Sequence, residues 1–269
     1  MRWPHALLLL ALPFGRAAGQ SGCAPEPGAP SLDHAILVAR DLDSAWARFA
    51  PLGFRAKAGR LHPDGLLNRH IKLRDHRGIE LMTLAGEPGS AMAREYRTRL
   101  DQGEGGAYLA LSVSSAERVA RLARQDGRSV RVTRLGGWTF VSFPESPELG
   151  AVFFFSSAGP PPADPDSVLA HENGAVGLAS GWVEGGPALE RLLAALGAAR
   201  CGTADLPDGR SGTRWALQRS AVMVIPPADG ARTPRVVGVE LETRSQGSAP
   251  VVHQPIPGFW IQLSAPRPP

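Results

Sequence analysis

Three times along this chain an apolar run is followed by a short amphipathic stretch that closes on a glycine, at Gly53, Gly127 and Gly197, and further apolar runs come after it. A strand, a helix ended by a left-handed glycine and a set of strands form a unit too small to cover its own sheet, so the copies must pack together. In the first copy residues 32–38 alternate, Asp41 or Asp43 is placed to cap a helix carrying Trp46 and Phe49, and Pro51 stops that helix before Gly53. Strands are predicted to follow near 54–60, 67–73 and 79–84.

The second copy opens with a strand at 108–113. Ser114 and Glu117 then form a capping-box pattern, Val119, Leu122 and Ala123 face inward, and strands follow near 130–134, 138–143 and 151–155. The third has a strand at 175–183, a helix carrying Leu189, Leu192, Leu193 and Leu196, and strands at 214–218 and 221–225. Residues 236–242 and 259–263 supply the first and last strands of a fourth copy without its helix. Between copies one and two, Met92, Tyr96 and Leu100 share a helix face predicted to pack on the sheets, with Arg94, Arg97 and Arg99 solvated. The expected fold is therefore α+β, built from about four tandem βαβββ modules in two pairs, the last degenerate.

Outside the modules, Arg2, an apolar run at 6–14 and the small residues Ala17, Ala18 and Gly19 read as a secretory signal over 1–19. A Pro/Gly tether is expected at 20–31, a first module pair at 32–158, a Pro-rich linker at 159–166, a second pair at 167–265 and a tail at 266–269. The expected location is periplasmic or secreted, and no further stretch is long enough to span a bilayer. Cys23 follows Ser21-Gly22 as a lipidated cysteine does, but Gln20 stands where such sites want an aliphatic residue. Cys23 and Cys201 are the only cysteines, which leaves one disulfide or two thiols open. The net charge of +4 comes from arginines scattered among acids, without an aromatic-interleaved basic stripe, so nucleic acid is not an expected partner.

Strand alternation locates the chemistry. If Ala35 and Leu37 face the helix, then His34, Ile36 and Val38 face the other way; the same reasoning sends Asn68, His70 and Lys72, and Glu80 and Met82, to that second face. Two imidazoles and a carboxylate on one sheet face are residue types that can hold a divalent ion and polarise a bound oxygen.

The run Leu32-Asp33-His34-Ala35-Ile36-Leu37-Val38, with Asp41-Leu42-Asp43, Leu52-Gly53-Phe54, His62-Pro63, Asn68-Arg69 and Ile79-Glu80-Leu81, resembles a glyoxalase-like domain of the vicinal oxygen chelate superfamily. His171-Glu172-Asn173-Gly174-Ala175 is similar to the opening of a later module. The resemblance implies paired modules curling into a cup that holds a small oxygenated organic molecule, with one divalent metal (Zn, Fe, Mn or Ni). In the superfamily's metal enzymes the first and last strands of a module supply ligands, positions held here by His34 and Glu80, with His70 as a third candidate. The same positions in the other copies carry Leu109 and Phe153, Gly177 and Val222, and Val237 and Gln262, of which only Gln262 can coordinate.

Two readings follow. In one, His34 and Glu80 are catalytic and hold a metal that stabilises an enolate or oxyanion, giving lyase, isomerase or dioxygenase chemistry. In the other, the same cup binds or sequesters a small ligand without turnover. Asn68, His70, His62 and His171 are the candidate ligand contacts, although His62 before Pro63 also suits a turn and His171 suits the Asn173-Gly174 turn. Arg69 falls on the opposite face, and His76 and His253 are expected to be exposed. No nucleophile elbow, phosphate-binding Gly-rich loop, paired CxxC or HExxH helix is present.

Overall fold

The structure, a computed structural model, describes residues 23–159, 163–227, 233–244 and 249–266. The signal expected at 1–19, residues 160–162 of the linker and residues 267–269 of the tail lie outside the described residues.

The first module comprises β1 (Ser31–Val38), α1 (Leu42–Phe49), β2 (Lys57–Leu61), β3 (Leu66–Lys72) and β4 (Gly78–Leu84). After α2 (Ala91–Asp101) comes the second: β5 (Gly105–Ser112), α3 (Ala116–Gln125), β6 (Arg131–Leu135), β7 (Trp138–Ser142) and β8 (Val152–Ser157). A short α4 (Asp166–Leu169) leads to the third: β9 (Ala175–Glu184), α5 (Pro187–Ala195), β10 (Ala199–Asp205), β11 (Ser211–Leu217) and β12 (Ser220–Ile225). The fourth has β13 (Val236–Thr243), β14 (Val251–Ile256) and β15 (Phe259–Ser264), and no helix among its described residues.

Within each module the first strand pairs parallel with the last, as β1 does with β4, and the remaining strands add antiparallel outside it. Modules join through their first strands: β1 runs antiparallel to β5, and β9 to β13. The two curved sheets are linked edgewise by a single pair, Val236 with Gly106. Their helix-bearing faces share one core, in which Leu32, Leu37, Phe49, Leu81, Leu109 and Phe154 of the first pair meet Val183, Leu189, Val222, Val239 and Phe259 of the second. The approach is close enough that a Cβ on Gly181 would lie 2.9 Å from Leu109.

Local chemistry explains the elements. Asp41, not Asp43, caps α1 by accepting the Ser44 N–H at 2.7 Å, and Gly53 ends that turn at φ 82°. The cap of α3 is Ser115, one residue later than the capping-box pattern places it, and it accepts from Arg118 N–H at 3.1 Å. On α2 the buried face is Ala93, Tyr96 and Leu100, while Met92 is exposed. Arg99, expected in solvent, is buried: it stacks over Tyr108 with 4.8 Å to the ring centre and donates to the carbonyls of Pro234 and Gly150. Strands β10 and β14 are absent from the sequence expectation, and His253, expected to be exposed, is half-buried in β14.

Cys23 and Cys201 are joined in a disulfide that ties the tether to β10. The tether also packs against the second pair, with Glu26 N–H donating to Gly197 at 2.8 Å and Gln218 N–H to Pro30 at 2.9 Å.

Candidate functional site

The concave face of the first module pair is set by β1. A β-bulge between Leu32 and His34 inserts Asp33, after which Ala35 and Leu37 enter the shared core while Ile36 and Val38 line the other face. His34 lies on that concave side. It meets β4 and β3, where Ile36 is opposite Glu80, Glu80 opposite His70 and Asn68 opposite Met82. Four polar side chains therefore converge where alternation sent them. Lys72, the other polar residue sent to this face, is half-buried on β3 opposite Gly78.

Glu80 is the hub. Its Oε2 lies 3.3 Å from His34 Nε2; its Oε1 accepts from Asn68 Nδ2 at 2.7 Å and lies 3.6 Å from His70 Nε2. Asn68 Oδ1 accepts the Arg60 backbone N–H at 2.9 Å, which fixes the direction of the amide. Its Nδ2 also reaches His70 Nε2 at 3.1 Å, and since an amide nitrogen only donates, that ring nitrogen must accept. Neutral His70 then carries its hydrogen on Nδ1. Behind the cluster, His34 Nδ1 bonds Asp33 Oδ1 at 2.6 Å.

These bonds decide the charges. Burial opposes a charged His34, but hydrogen bonds to Asp33 and Glu80 outweigh it and raise the imidazole to about 9. Burial likewise opposes an ionised Glu80, yet His34 and Asn68 hold it down at about 2, and Asp33 is lowered in the same way. His70 goes the other way: burial, aided by the positive charges of Lys72, His34 and Lys57, lowers it to about 4 against the pull of Glu80. Near neutrality the cluster is a cationic His34 between two carboxylates, with a neutral His70 beside them.

Module two supplies a wall of rings. Phe153 lies edge-on to His34 with ring centres 6.4 Å apart, and contacts Tyr108, Phe140 and Phe155; Trp138 stacks on Phe140. Phe153, Phe140 and Trp138 are only half-buried. Helix α2 closes one end of the cup by packing Ala93, Tyr96 and Leu100 against Ile36, Val38, Leu66 and Met82. One flank of the cup is thus polar and the facing flank aromatic.

The family model for the glyoxalase-like domain matches residues 32–197, more than half of the chain. The chain belongs to the glyoxalase-like domain family. The fold is that of the vicinal oxygen chelate superfamily. Among solved structures it is similar to a hypothetical protein from Staphylococcus aureus, at 15% identity and a TM-score of 0.61, covering 88% of this chain and 99% of that one. It is also similar to an extradiol ring-cleaving dioxygenase from B. fuscum, at 14% identity and TM-score 0.56, covering 89% and 74%. A third is homoprotocatechuate 2,3-dioxygenase from Arthrobacter globiformis, at 14% identity and TM-score 0.55, covering 91% and 81%. At these identities the likeness is one of fold. No curated protein matches the chain by sequence.

The superfamily implies a divalent metal, and the donors of this glyoxalase-like cup do not fit one as they are bonded. His34 and His70 address different oxygens of Glu80 rather than a common point, and the Asn68 amide nitrogen, which has no lone pair to give, stands between Glu80 and His70. Among the described residues no three His, Cys, Asp or Glu side chains are placed to hold one ion.

The remaining candidates fall elsewhere. Both ring nitrogens of His171 are taken by backbone, Nδ1 accepting Arg55 N–H at 2.9 Å and Nε2 donating to Lys72 O at 2.8 Å, with Phe54 against its ring; it braces module one instead of closing the cup. His62 lies beyond the end of β2 and its N–H closes the hairpin onto Leu66 O at 2.7 Å; among the described residues no bond joins it to the cluster. Arg69 stands on the opposite face, paired with Asp43 at 2.8 Å, and His76 sits exposed at a turn with φ 67°. In the other modules the equivalent positions differ from those expected. Phe153 pairs with Ala110 as Glu80 pairs with Ile36, so Tyr108, not Leu109, stands in the place of His34; Met223 paired with Trp182 likewise puts Ser180 in place of Gly177 and Met223 in place of Val222. The second cup is filled by Trp182, Leu206, Met223, Ile225 and Val237. Asp33 and the aromatic wall were not singled out from the sequence, and only Phe153 gave a signal, by its place on a last strand.

Proposed function

We propose that the first cup binds a small oxygenated organic molecule and holds it without turnover. The observation that carries this reading is the placing of His34, Asn68, His70 and Glu80 together on one sheet face, with the half-buried ring of Phe153 edge-on to His34 and those of Phe140 and Trp138 stacked beyond it. Polar side chains and open ring faces in one concavity are the ordinary makings of a small-molecule site. His70 is the contact: its side chain is 22% exposed, its Nε2 is taken by Asn68, and its Nδ1–H is left to donate to a ligand oxygen.

Holding is favoured over proton transfer by the charges. A general acid or base works best with a pKa near the working pH. His34 at about 9 stays protonated and His70 at about 4 stays neutral, so neither is poised at neutrality. The catalytic alternative, a metal-dependent lyase, isomerase or dioxygenase at His34 and Glu80, draws on the residue types and the family, and it requires the cluster to re-bond.

Labelled imidazole resonances, followed by NMR during titration with catechol, pyruvate and methylglyoxal, test the reading. A saturable shift of the His70 and His34 rings by at least one compound is expected, with the His34 shift lost or weakened at least about tenfold in concentration dependence in His70→Phe. No shift with any of them overturns the site, and conversion of a bound compound replaces holding by catalysis.

We also infer export. The Cys23–Cys201 disulfide supports it, because such bonds persist in oxidising compartments. Cell fractionation with N-terminal sequencing of the mature protein is expected to find it outside the cytoplasm and cut near residue 19; uncut cytoplasmic protein would refute this.

A further inference from the structure

We infer that this cup operates without a divalent ion, and that the Asn68 amide is the residue that keeps an ion out. The geometry of three side chains carries the inference. Asn68 cannot turn freely, because its Oδ1 holds the Arg60 N–H at 2.9 Å, and rotating the amide would leave that backbone donor without its partner. Strand β2 is pressed against this point: at Gly59 a Cβ would fall 1.6 Å from the Asn68 carbonyl and 2.3 Å from Oδ1. With the oxygen so engaged, Nδ2 presents its two hydrogens to Glu80 Oε1 at 2.7 Å and to His70 Nε2 at 3.1 Å. Those are the two lone pairs an ion on this side of Glu80 would need, and the amide satisfies both.

The other side of the carboxylate is taken as well. His34 holds Oε2 from 3.3 Å, and its remaining nitrogen is committed to Asp33 at 2.6 Å. On the facing strands the residues against His34 are Ala110 and Phe153, neither of which can coordinate an ion. Both oxygens of Glu80 and the Nε2 of each imidazole are thus engaged within the protein, and the His70 nitrogen left over carries a hydrogen and cannot ligate an ion in that state. An ion would have to displace hydrogen bonds at both oxygens to gain a carboxylate and two imidazoles that do not point to one place.

This inference concerns the same cup as the proposed ligand site but does not depend on it. Uptake of a metal reads out the donors whatever organic molecule the cup accepts, so either idea can fail alone.

The test is metal uptake by chelator-stripped full-length protein. Wild type, Asn68→Asp and Asn68→Ala are dialysed separately against Zn, Mn, Fe and Ni salts, bound ion is counted by elemental analysis, and melting is followed with and without ion. Wild type is expected to retain well under one equivalent of every ion, with an unmoved melting temperature. Asn68→Asp replaces the amide by a carboxylate of the same shape and is expected to retain close to one equivalent of zinc, with a melting temperature that climbs with zinc concentration. Adding His70→Phe to that variant should abolish the gain, and Asn68→Ala, which adds no ligand, should stay metal-free. Stoichiometric uptake by wild type that falls in Glu80→Gln overturns the inference even if no Asn68 variant folds. A folded Asn68→Asp protein that gains no metal overturns the part assigned to Asn68.

Discussion

At the scale of single residues, His34 is the side chain on which the cluster depends. It is the cation between Asp33 and Glu80, and Glu80 is buried, so removing the imidazole leaves a carboxylate without its countercharge. His34→Ala is expected to cost roughly 2–4 kcal/mol in urea unfolding, near the lower end for breaking a buried ion pair because the imidazole is partly solvated. The cost should depend on pH in a defined direction. A group whose folded pKa is raised, from 6.5 to about 9, contributes stability that is fully present below 6.5 and fades as pH rises through 9. The gap between wild type and His34→Ala should therefore be widest near pH 6 and close toward pH 9. His70 acts oppositely: lowered from 6.5 to about 4, it makes the folded state lose stability as pH falls from 6.5 toward 4. A gap that is flat across pH 6–9 would remove the charge assignment of His34.

At the scale of elements, the β2–β3 hairpin shows how local backbone sets up the site. A bulge between Ala58 and Leu61 brings Arg60 N–H onto Asn68, and the approach is possible only because residue 59 has no side chain. Gly59→Ala is expected to push β2 off β3, costing roughly 1–3 kcal/mol by overpacking, and to release the Asn68 amide. Amide exchange at Arg60 should speed up in that variant while exchange in β9 stays unchanged; equal effects in both places would argue for general unfolding instead. The same hairpin marks the limit of what the sequence disclosed. Strands inside the sheet, such as β1, β4 and β9, are mostly buried and show in the sequence as apolar runs whose place is legible within a few residues. Strands β2, β10 and β14 are sheet edges with mostly exposed side chains, and β14 carries Pro255, so pattern located β2 only roughly and missed the other two. The convergence of His34, Asn68, His70 and Glu80 was legible because alternation has a period of two. The place of Asp33 was not, because a bulge breaks that period and nothing in one sequence announces it.

At the scale of the molecule, the sequence suggests two module pairs divided by a Pro-rich break, and the packing makes them one folding unit. Leu32 and Leu109 of the first pair lie against Gly181 of the second. Arg77, buried in the β3–β4 turn, reaches across to donate to Leu178 O at 2.9 Å and to Arg219 O at 2.8 Å. The disulfide then ties Cys23, ahead of the first pair, to Cys201 within the second, across 178 residues of sequence. Unfolding only one pair would expose the apolar back of the other and strand the Arg77 guanidinium, and that cost favours concerted loss of both. Trp46 reports on the first pair and Trp215 on the second, so single-tryptophan variants can follow each through urea unfolding. Coincident midpoints are expected. Reducing the disulfide should lower both midpoints together, by about 2–5 kcal/mol of stability, since the cross-link restrains the unfolded chain as a whole. If the Trp215 transition moved alone on reduction, the pairs would be independent units, and the shared core would be a contact between them rather than the centre of one fold.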